Sequence, residues 1–232
     1  MRLARYVRTG GPPPAQDEWL DIDDSGRFDL VRTVGSRRVG HFAGTLPDRD
    51  VTELAALAAA VGDDELSVKP SMPQQTLEIV RTAKASATTT VEAARPAPWQ
   101  ALTERLRTLT EDLTGSPVSA VALQAGDGER RLRLEAVGTE PVELDWNGAS
   151  IEFALFGADE EWLESGFLPV PDGVGAGAHE PGWAVEVPLD GAPSFTPDQI
   201  FDLRVTFTMV ADGAPKKVQL ATTLGRGWFP PG

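Results

Sequence analysis

The chain has 232 residues, with 35 acids against 21 bases and a formal net charge of −14. That excess disfavours binding to nucleic-acid phosphates, whose footprint is a basic surface, and attraction to an anionic membrane. The absence of cysteine removes disulfides, iron–sulfur clusters, thiolate zinc sites and cysteine nucleophiles, and two histidines, His41 and His179, are too few for a multi-histidine metal site.

In chain order, residues 2–8 read as a strand, stopped by Gly10-Gly11-Pro12-Pro13-Pro14. No apolar stretch of signal-peptide character follows the start, so a cytoplasmic location is expected. Residues 17–23 and 27–34 flank the turn Asp24-Ser25-Gly26 and predict a hairpin. Residues 38–43 form a further extended piece. Asp50 and Glu53 then have capping-box spacing, and Val51, Leu54, Leu57, Ala58 and Val61 make one apolar helix face that Gly62 ends. The longest apolar run, Leu54 to Val61, is far short of a membrane span. Thr76–Thr82 and Ala87–Glu92 read as a second hairpin, since β-branched threonines suit a pleated surface. A second helix starts near Pro98, with Trp99, Leu102, Leu106, Leu109 and Leu113 as its buried stripe, and Gly115-Ser116-Pro117 closes it. The order predicts an α+β domain over residues 1–116, an antiparallel sheet with two helices.

From residue 117 onward the period changes to two. Alternating sets run through 117–125, Leu132–Ala136, Val142–Trp146, Ile151–Leu155, Trp183–Val187, Phe201–Met209 and Val218–Leu220. They predict an all-β antiparallel sandwich over residues 117–232. Residues 157–181, acidic and then glycine-rich, read as a long loop.

The charge is unevenly placed. Residues 1–125 carry a net −3 and residues 126–232 a net −11. Between Arg133 and Arg204 there is no lysine or arginine, and those 70 residues hold 15 acids. Such a block concentrates negative potential and suits a basic protein surface as partner.

Asn147-Gly148 between two alternating runs is a strong hairpin signal. A two-residue loop pairs Trp146 with Ala149 and sets Glu143 opposite Glu152. A three-residue loop at Gly138-Thr139-Glu140 then sets Glu135 opposite Glu143 and Arg133 opposite Asp145. The expectation is a carboxylate row, Glu135–Glu143–Glu152, across three neighbouring strands. Like charges directly opposite destabilise by up to about 1 kcal/mol, which a cation, or a lysine or arginine from a partner, would offset. With Asp145, and with Glu160, Glu161 and Trp162 from the loop, these residues form the candidate partner-binding set.

Other candidates are weaker. Asp21-Ile-Asp23-Asp-Ser25-Gly26, with Asp29 at the ninth position, resembles the start of a calcium loop. Arg32 stands where that loop needs a bidentate glutamate, so a β-turn is expected. Gly173-Val-Gly-Ala-Gly177 lacks the Lys-Ser/Thr and the helix of a phosphate loop. No G-x-S-x-G elbow or HExxH occurs, and both histidines read as ordinary surface or core residues. Trp146 and Trp183 fall on core positions, while Trp162 and Trp228 are candidates for exposure. The latter pair suits protein partners or sugars.

The composition, rich in Ala, Arg, Gly and Pro, looks like that of a high-GC bacterial genome. Thr9-Gly10-Gly11 with the strand–helix order resembles small bacterial metalloprotease inhibitors of the emfourin type. Leu132–Trp162 resembles intracellular proteinase-inhibitor sandwiches. Each resemblance covers part of the chain without an intact defining motif, and neither transfers a functional residue. The expected function is non-catalytic protein binding, as in inhibitor, immunity or adaptor-like proteins, through the acidic sandwich face. No cofactor, metal or catalytic residue is expected. The alternatives are a small-ligand or carbohydrate-binding module and a structural subunit of a larger assembly.

Overall fold

A computed structural model describes residues 2–10, 16–61, 76–81, 85–90, 97–125, 131–170, 176–189, 191–196, 198–211 and 213–225. In chain order the elements are β1 (Arg2–Gly10), β2 (Gln16–Asp23), β3 (Arg27–Arg32), β4 (Val34–Gly35), β5 (Arg38–Thr45), α1 (Asp48–Ala60), β6 (Thr76–Arg81), β7 (Ala85–Thr90) and α2 (Ala97–Asp112). They continue with β8 (Pro117–Ala125), β9 (Arg131–Gly138), β10 (Val142–Phe156), β11 (Trp162–Leu168), β12 (Gly177–His179), β13 (Ala184–Pro188), β14 (Ile200–Ala211) and β15 (Ala214–Gly225). The chain is therefore mostly antiparallel strand, with two helices.

It divides into two compact units, residues 1–32 with 41–118, and residues 33–40 with 119–232. The segment 33–40, expected in the first part, joins the second. Its β4 pairs parallel to β15, and the Gln219 N–H donates to the Thr33 carbonyl at 2.8 Å.

In the first unit the strand order is β3-β2-β1-β6-β7. The hairpin expected at Asp24-Ser25-Gly26 forms, with Leu20 opposite Leu30 and Ile22 opposite Phe28. Its turn is a local polar device: Asp23 Oδ1 accepts from the Ser25 N–H, the Ser25 hydroxyl and the Arg27 N–H. These bonds, the Ser25 hydroxyl first, hold the Asp23 carboxyl below its usual pKa. This is the β-turn reading. The second hairpin also forms, β6 against β7 from Thr76–Thr90 to Arg81–Ala85. Thr82, Val91 and Glu92 lie outside the described residues.

Alternation puts Ala4, Tyr6, Leu20, Ile22, Phe28 and Leu30 in the core, and the helices add Leu54, Ala58, Trp99, Leu102, Leu106 and Leu109. The capping box expected at Asp50 does not form. Helix α1 begins at Asp48 after Pro47 and has no side-chain cap. Asp50 is instead inside the first turn and buried, where Arg105 of α2 donates to it at 2.9 Å and to Glu53 at 2.9 Å. The two acids that spelled a cap tie the helices together.

The second unit holds β13-β9-β8 in one sheet and β11-β10-β14-β15-β4 in the other, with β12 also beside β10. One core cluster joins them. Val121, Leu123, Leu132, Leu134 and Val187 from the first sheet meet Leu144, Ile151, Phe201, Val205 and Leu220 from the second. Facing sheets with one shared core are a sandwich arrangement. Stacked rings fill its middle, Trp146 on Phe207 at 4.9 Å and Phe153 on Phe201 at 5.6 Å.

The hairpin expected at Asn147-Gly148 is absent. Strand β10 runs through it and pairs with the same partner on both sides, Asp145 opposite Thr208 and Ser150 opposite Thr206. The extra residues bulge out, with Gly148 at φ +76° and the Asn147 N–H donating to Asp145 Oδ1 at 2.8 Å. The bulge also resets the alternation. Val142, Leu144 and Trp146 point inward before it, and Ile151, Phe153 and Leu155 after it.

Candidate functional site

With no hairpin at residue 147, the carboxylate row does not form. Glu135 lies on β9, opposite Ala122 and Ala184, in the other sheet from β10. The Gln124 side-chain amide donates to it at 3.1 Å, and Arg133 lies 3.5 Å away. The link at residues 138–140 is a crossing between sheets, so Glu135 never meets Glu143. Glu143, Asp145 and Glu152 do share the outer face of β10, but at successive heights along one strand. Glu143 faces Ala178, and Asp145 and Glu143 line a cavity of about 380 Å³ with Gly177, Thr208 and Met209. Glu152 faces Phe167 on one side and Arg204 on the other. The repulsion expected between opposed acids is therefore missing; a base stands opposite Glu152 instead.

The segment 157–181 is not one loop. Gly157 to Glu161 make a tight three-residue connection, closed by Glu160 N–H to Gly157 carbonyl at 3.0 Å and Gly157 N–H to Glu161 carbonyl at 2.9 Å. Glu160 takes the left-handed position at φ +63°, a place usually given to glycine. The Glu161 carboxylate folds back over Gly157 and accepts from the Asp159 N–H at 3.2 Å, so a side chain at residue 157 would displace it. Strand β11 follows. Residues 173–175 of the glycine-rich run lie outside the described residues. Gly177 and His179 belong to β12, where the His179 ring sits 3.9 Å from that of Trp183.

Strand β11 carries Trp162, 63% exposed, Phe167, 74% exposed, and Leu163, 41% exposed. The register gives the arrangement. Inward-pointing Ile151, Phe153 and Leu155 face Leu168, Gly166 and Glu164. Phe167 and Trp162 therefore stand on the outer face, opposite Glu152 and Phe156. Continuing across to β14, Phe156 faces Ile200, Ala154 faces Asp202 and Glu152 faces Arg204. The outer face thus holds an apolar row, Trp162–Phe156–Ile200, and a second ring at Phe167. Acids border both: Glu160 and Glu161 at the turn, Glu152 and Asp202 within the face. Directly opposed side chains on one face lie about 5 Å apart at Cβ, so each row is continuous. Trp146 is in the core, as expected, whereas Trp183 is only partly buried and packs against that core. Trp228 lies outside the described residues.

Sequence reasoning missed Phe167 and Leu163 as exposed residues, and Phe156 and Ile200 as half-buried residues of the outer face. It also missed a charged cluster in the first unit. Arg8, Glu18 and Arg32 occupy directly opposed positions on β1, β2 and β3, on the face that buries Tyr6, Leu20 and Leu30. Arg32 is buried and donates to both Glu111 oxygens at 2.7 and 2.8 Å, to Thr110 at 3.4 Å and to Glu18 at 3.5 Å. These bonds hold the Glu111 carboxyl below its usual pKa. Burial, with Glu18 nearby, pushes the Tyr6 hydroxyl up. The described residues contain no cluster of three or more His, Asp or Glu placed to hold a metal. None of their helices is long and apolar enough to cross a membrane.

No protein-family profile, curated protein or solved structure matches this chain.

Proposed function

We propose that this is a non-catalytic protein-binding protein of the inhibitor, immunity or adaptor kind, acting in the cytoplasm on a basic protein surface. One observation carries the reading: two large rings, Trp162 and Phe167, stand exposed on a sheet face among carboxylates. Exposed tryptophan is the side chain that contributes most to interface energy when a partner covers it. An acidic border supplies steering and selects a partner of opposite sign. The stretch without lysine or arginine from residue 134 to 203 supports the same sign. The candidate partner-binding residues divide by place. Glu143, Asp145, Glu152 and Trp162 belong to the sheet that contains β10 and β11, Glu160 and Glu161 to the turn that joins those strands, and Glu135 to the opposite sheet.

The test is affinity capture from the native host, with Glu143→Lys/Glu152→Lys beside the unaltered protein. A stoichiometric partner that is retained at low salt, released at high salt and lost with the double variant is the expected result. Capture that ignores both salt and the charge reversal defeats the reading. A glycan array run in parallel separates the carbohydrate-binding alternative, in which Trp162 would stack on a sugar ring.

A further inference from the structure

We propose that the β10 bulge is a site of self-modification: the Gly148 backbone nitrogen attacks the Asn147 carboxamide, ammonia leaves, and water opens the ring to aspartate or isoaspartate. The inference goes beyond the protein-binding reading and does not depend on it.

The step balances with water alone. The Gly148 nitrogen gives up its proton and bonds to Asn147 Cγ. The carboxamide nitrogen leaves with that proton as ammonia, and a cyclic imide remains. Water then adds to one of the two imide carbonyl carbons and breaks its bond to nitrogen. Opening at Cγ gives aspartate. Opening at the main-chain carbonyl gives isoaspartate, in which the backbone runs through Cβ. One water is consumed, one ammonia is released and one negative charge is gained. Asparagine is among the thermolabile side chains for this reason.

A regular ladder protects an asparagine, because its hydrogen bonds hold the backbone extended on either side. The bulge lifts that protection at one dipeptide. Strand β10 pairs with β12 from Val142 to Leu144 and with β11 from Ile151 to Phe156. Its pairing with β14 stops at Asp145 and resumes at Ser150. Residues 146–149 therefore have no ladder partner on either side. Trp146 is buried, but Asn147 and Gly148 are both exposed. The Asn147 N–H donates to Asp145 Oδ1 at 2.8 Å, while its carboxamide makes no hydrogen bond among the described residues and is free to turn. Gly148 has φ +76°, and nothing stands within 4 Å of where its Cβ would be. With no side chain of its own and open space around it, its nitrogen is accessible to the carboxamide.

The bulge also accommodates the product. Isoaspartate lengthens the backbone by one carbon, and an added atom in residues that already loop out leaves the pairs at Asp145 and Ser150 in place. Each event puts a new carboxylate two residues from Asp145. The protein then exists in two charge forms whose ratio rises with its age.

The test is incubation of the full folded chain in warm, mildly alkaline buffer. Ion-exchange chromatography reads the charge gained, an enzymatic assay reads ammonia, and peptide mass mapping locates the change. Asn147 is the one asparagine of the chain, so the charge gained has one expected source. Isoaspartate content is not the readout, because Asp-Gly pairs such as Asp190-Gly191 pass through the same imide without a change of charge. Charge and ammonia are expected to appear in equal amounts and to map to residue 147. Asn147→Gln abolishes both, and Asn147→Asp elutes with the aged form from the start. Gly148→Ala is expected to slow the gain roughly tenfold or more, since a Cβ hinders its nitrogen. The folded chain is expected to react at no less than about a tenth of the rate of the urea-unfolded chain, because no ladder closes over the dipeptide. A slower folded rate overturns the proposal. So does an undiminished rate in Gly148→Ala, or a charge gain that maps elsewhere.

Discussion

Arg32→Met tests the buried polar contact between β2, β3 and α2. The substitution keeps most of the volume and removes the charge. Arg32 and Glu18 have side chains only 5% and 7% exposed, so Glu18 loses its cross-strand cation in a place that water does not reach. A buried charge left without its partner costs about 3–5 kcal/mol. The lower end applies, because Arg8 is also opposite Glu18 on β1. Glu111, 67% exposed at its side chain, is rehydrated by solvent and adds under about 1 kcal/mol. The expected loss is about 3 kcal/mol. With a urea slope of about 2 kcal/mol/M, the midpoint falls by about 1.5 M. Both helices belong to the first unit, so circular dichroism at 222 nm reports its unfolding. The decisive comparison is Glu18→Leu/Arg32→Met. Replacing a buried ion pair with apolar groups of similar size is often neutral, so the double variant should recover at least half the loss. A single variant within about 1 kcal/mol of the native protein refutes the claim that this pair is coupled. A double variant as weak as the single refutes it too.

The acid limb of stability should also depend on Arg32. The folded Glu111 pKa lies below 4.5, so its stabilisation is present above that value and lost as pH falls through the folded pKa. Urea midpoints measured from pH 6 downward should decline below about pH 4.5 and decline less steeply in Arg32→Met. Gly40→Ala and Gly148→Ala separate collision from backbone strain. At Gly40, φ is +137° and a Cβ would stand 2.4 Å from the Ser119 carbonyl oxygen, so a loss of about 3 kcal/mol or more is expected in thermal denaturation. At Gly148, φ is +76° with open space around it, so only the left-handed penalty of about 1 kcal/mol should appear. Glu160→Gly relieves the left-handed glutamate and should stabilise by about 1 kcal/mol while weakening capture of a basic partner. A destabilised Glu160→Gly protein would show that the glutamate side chain secures the turn.

What was legible in the sequence depended on contrast between two faces. Runs such as Leu20–Ile22 and Phe28–Leu30 bury one face, so period and turn chemistry agreed and the first hairpin followed. Asn147-Gly148 carried an equally strong local signal and lost to a longer-range one. Strand β14, twelve residues long, pairs with β10 on both sides of that dipeptide. The uninterrupted alternation from Phe201 to Met209 announced a strand needing a partner of similar length. Strand β11 gave no such sign, since an edge with most of its side chains exposed has no alternation to read. Its aromatic residues looked like loop residues for that reason alone. The charged row was sought where acids are abundant, in the second half. It lies where acids are rare on an inward face. Counting outward from Asp24-Ser25-Gly26 puts Glu18 opposite Arg32, both in phase with buried leucines. An acid and a base that take facing core positions on neighbouring strands must be paired, because either one alone would be an unmatched buried charge. Abundance marks where charge is tolerated; phase with the core marks where it is held.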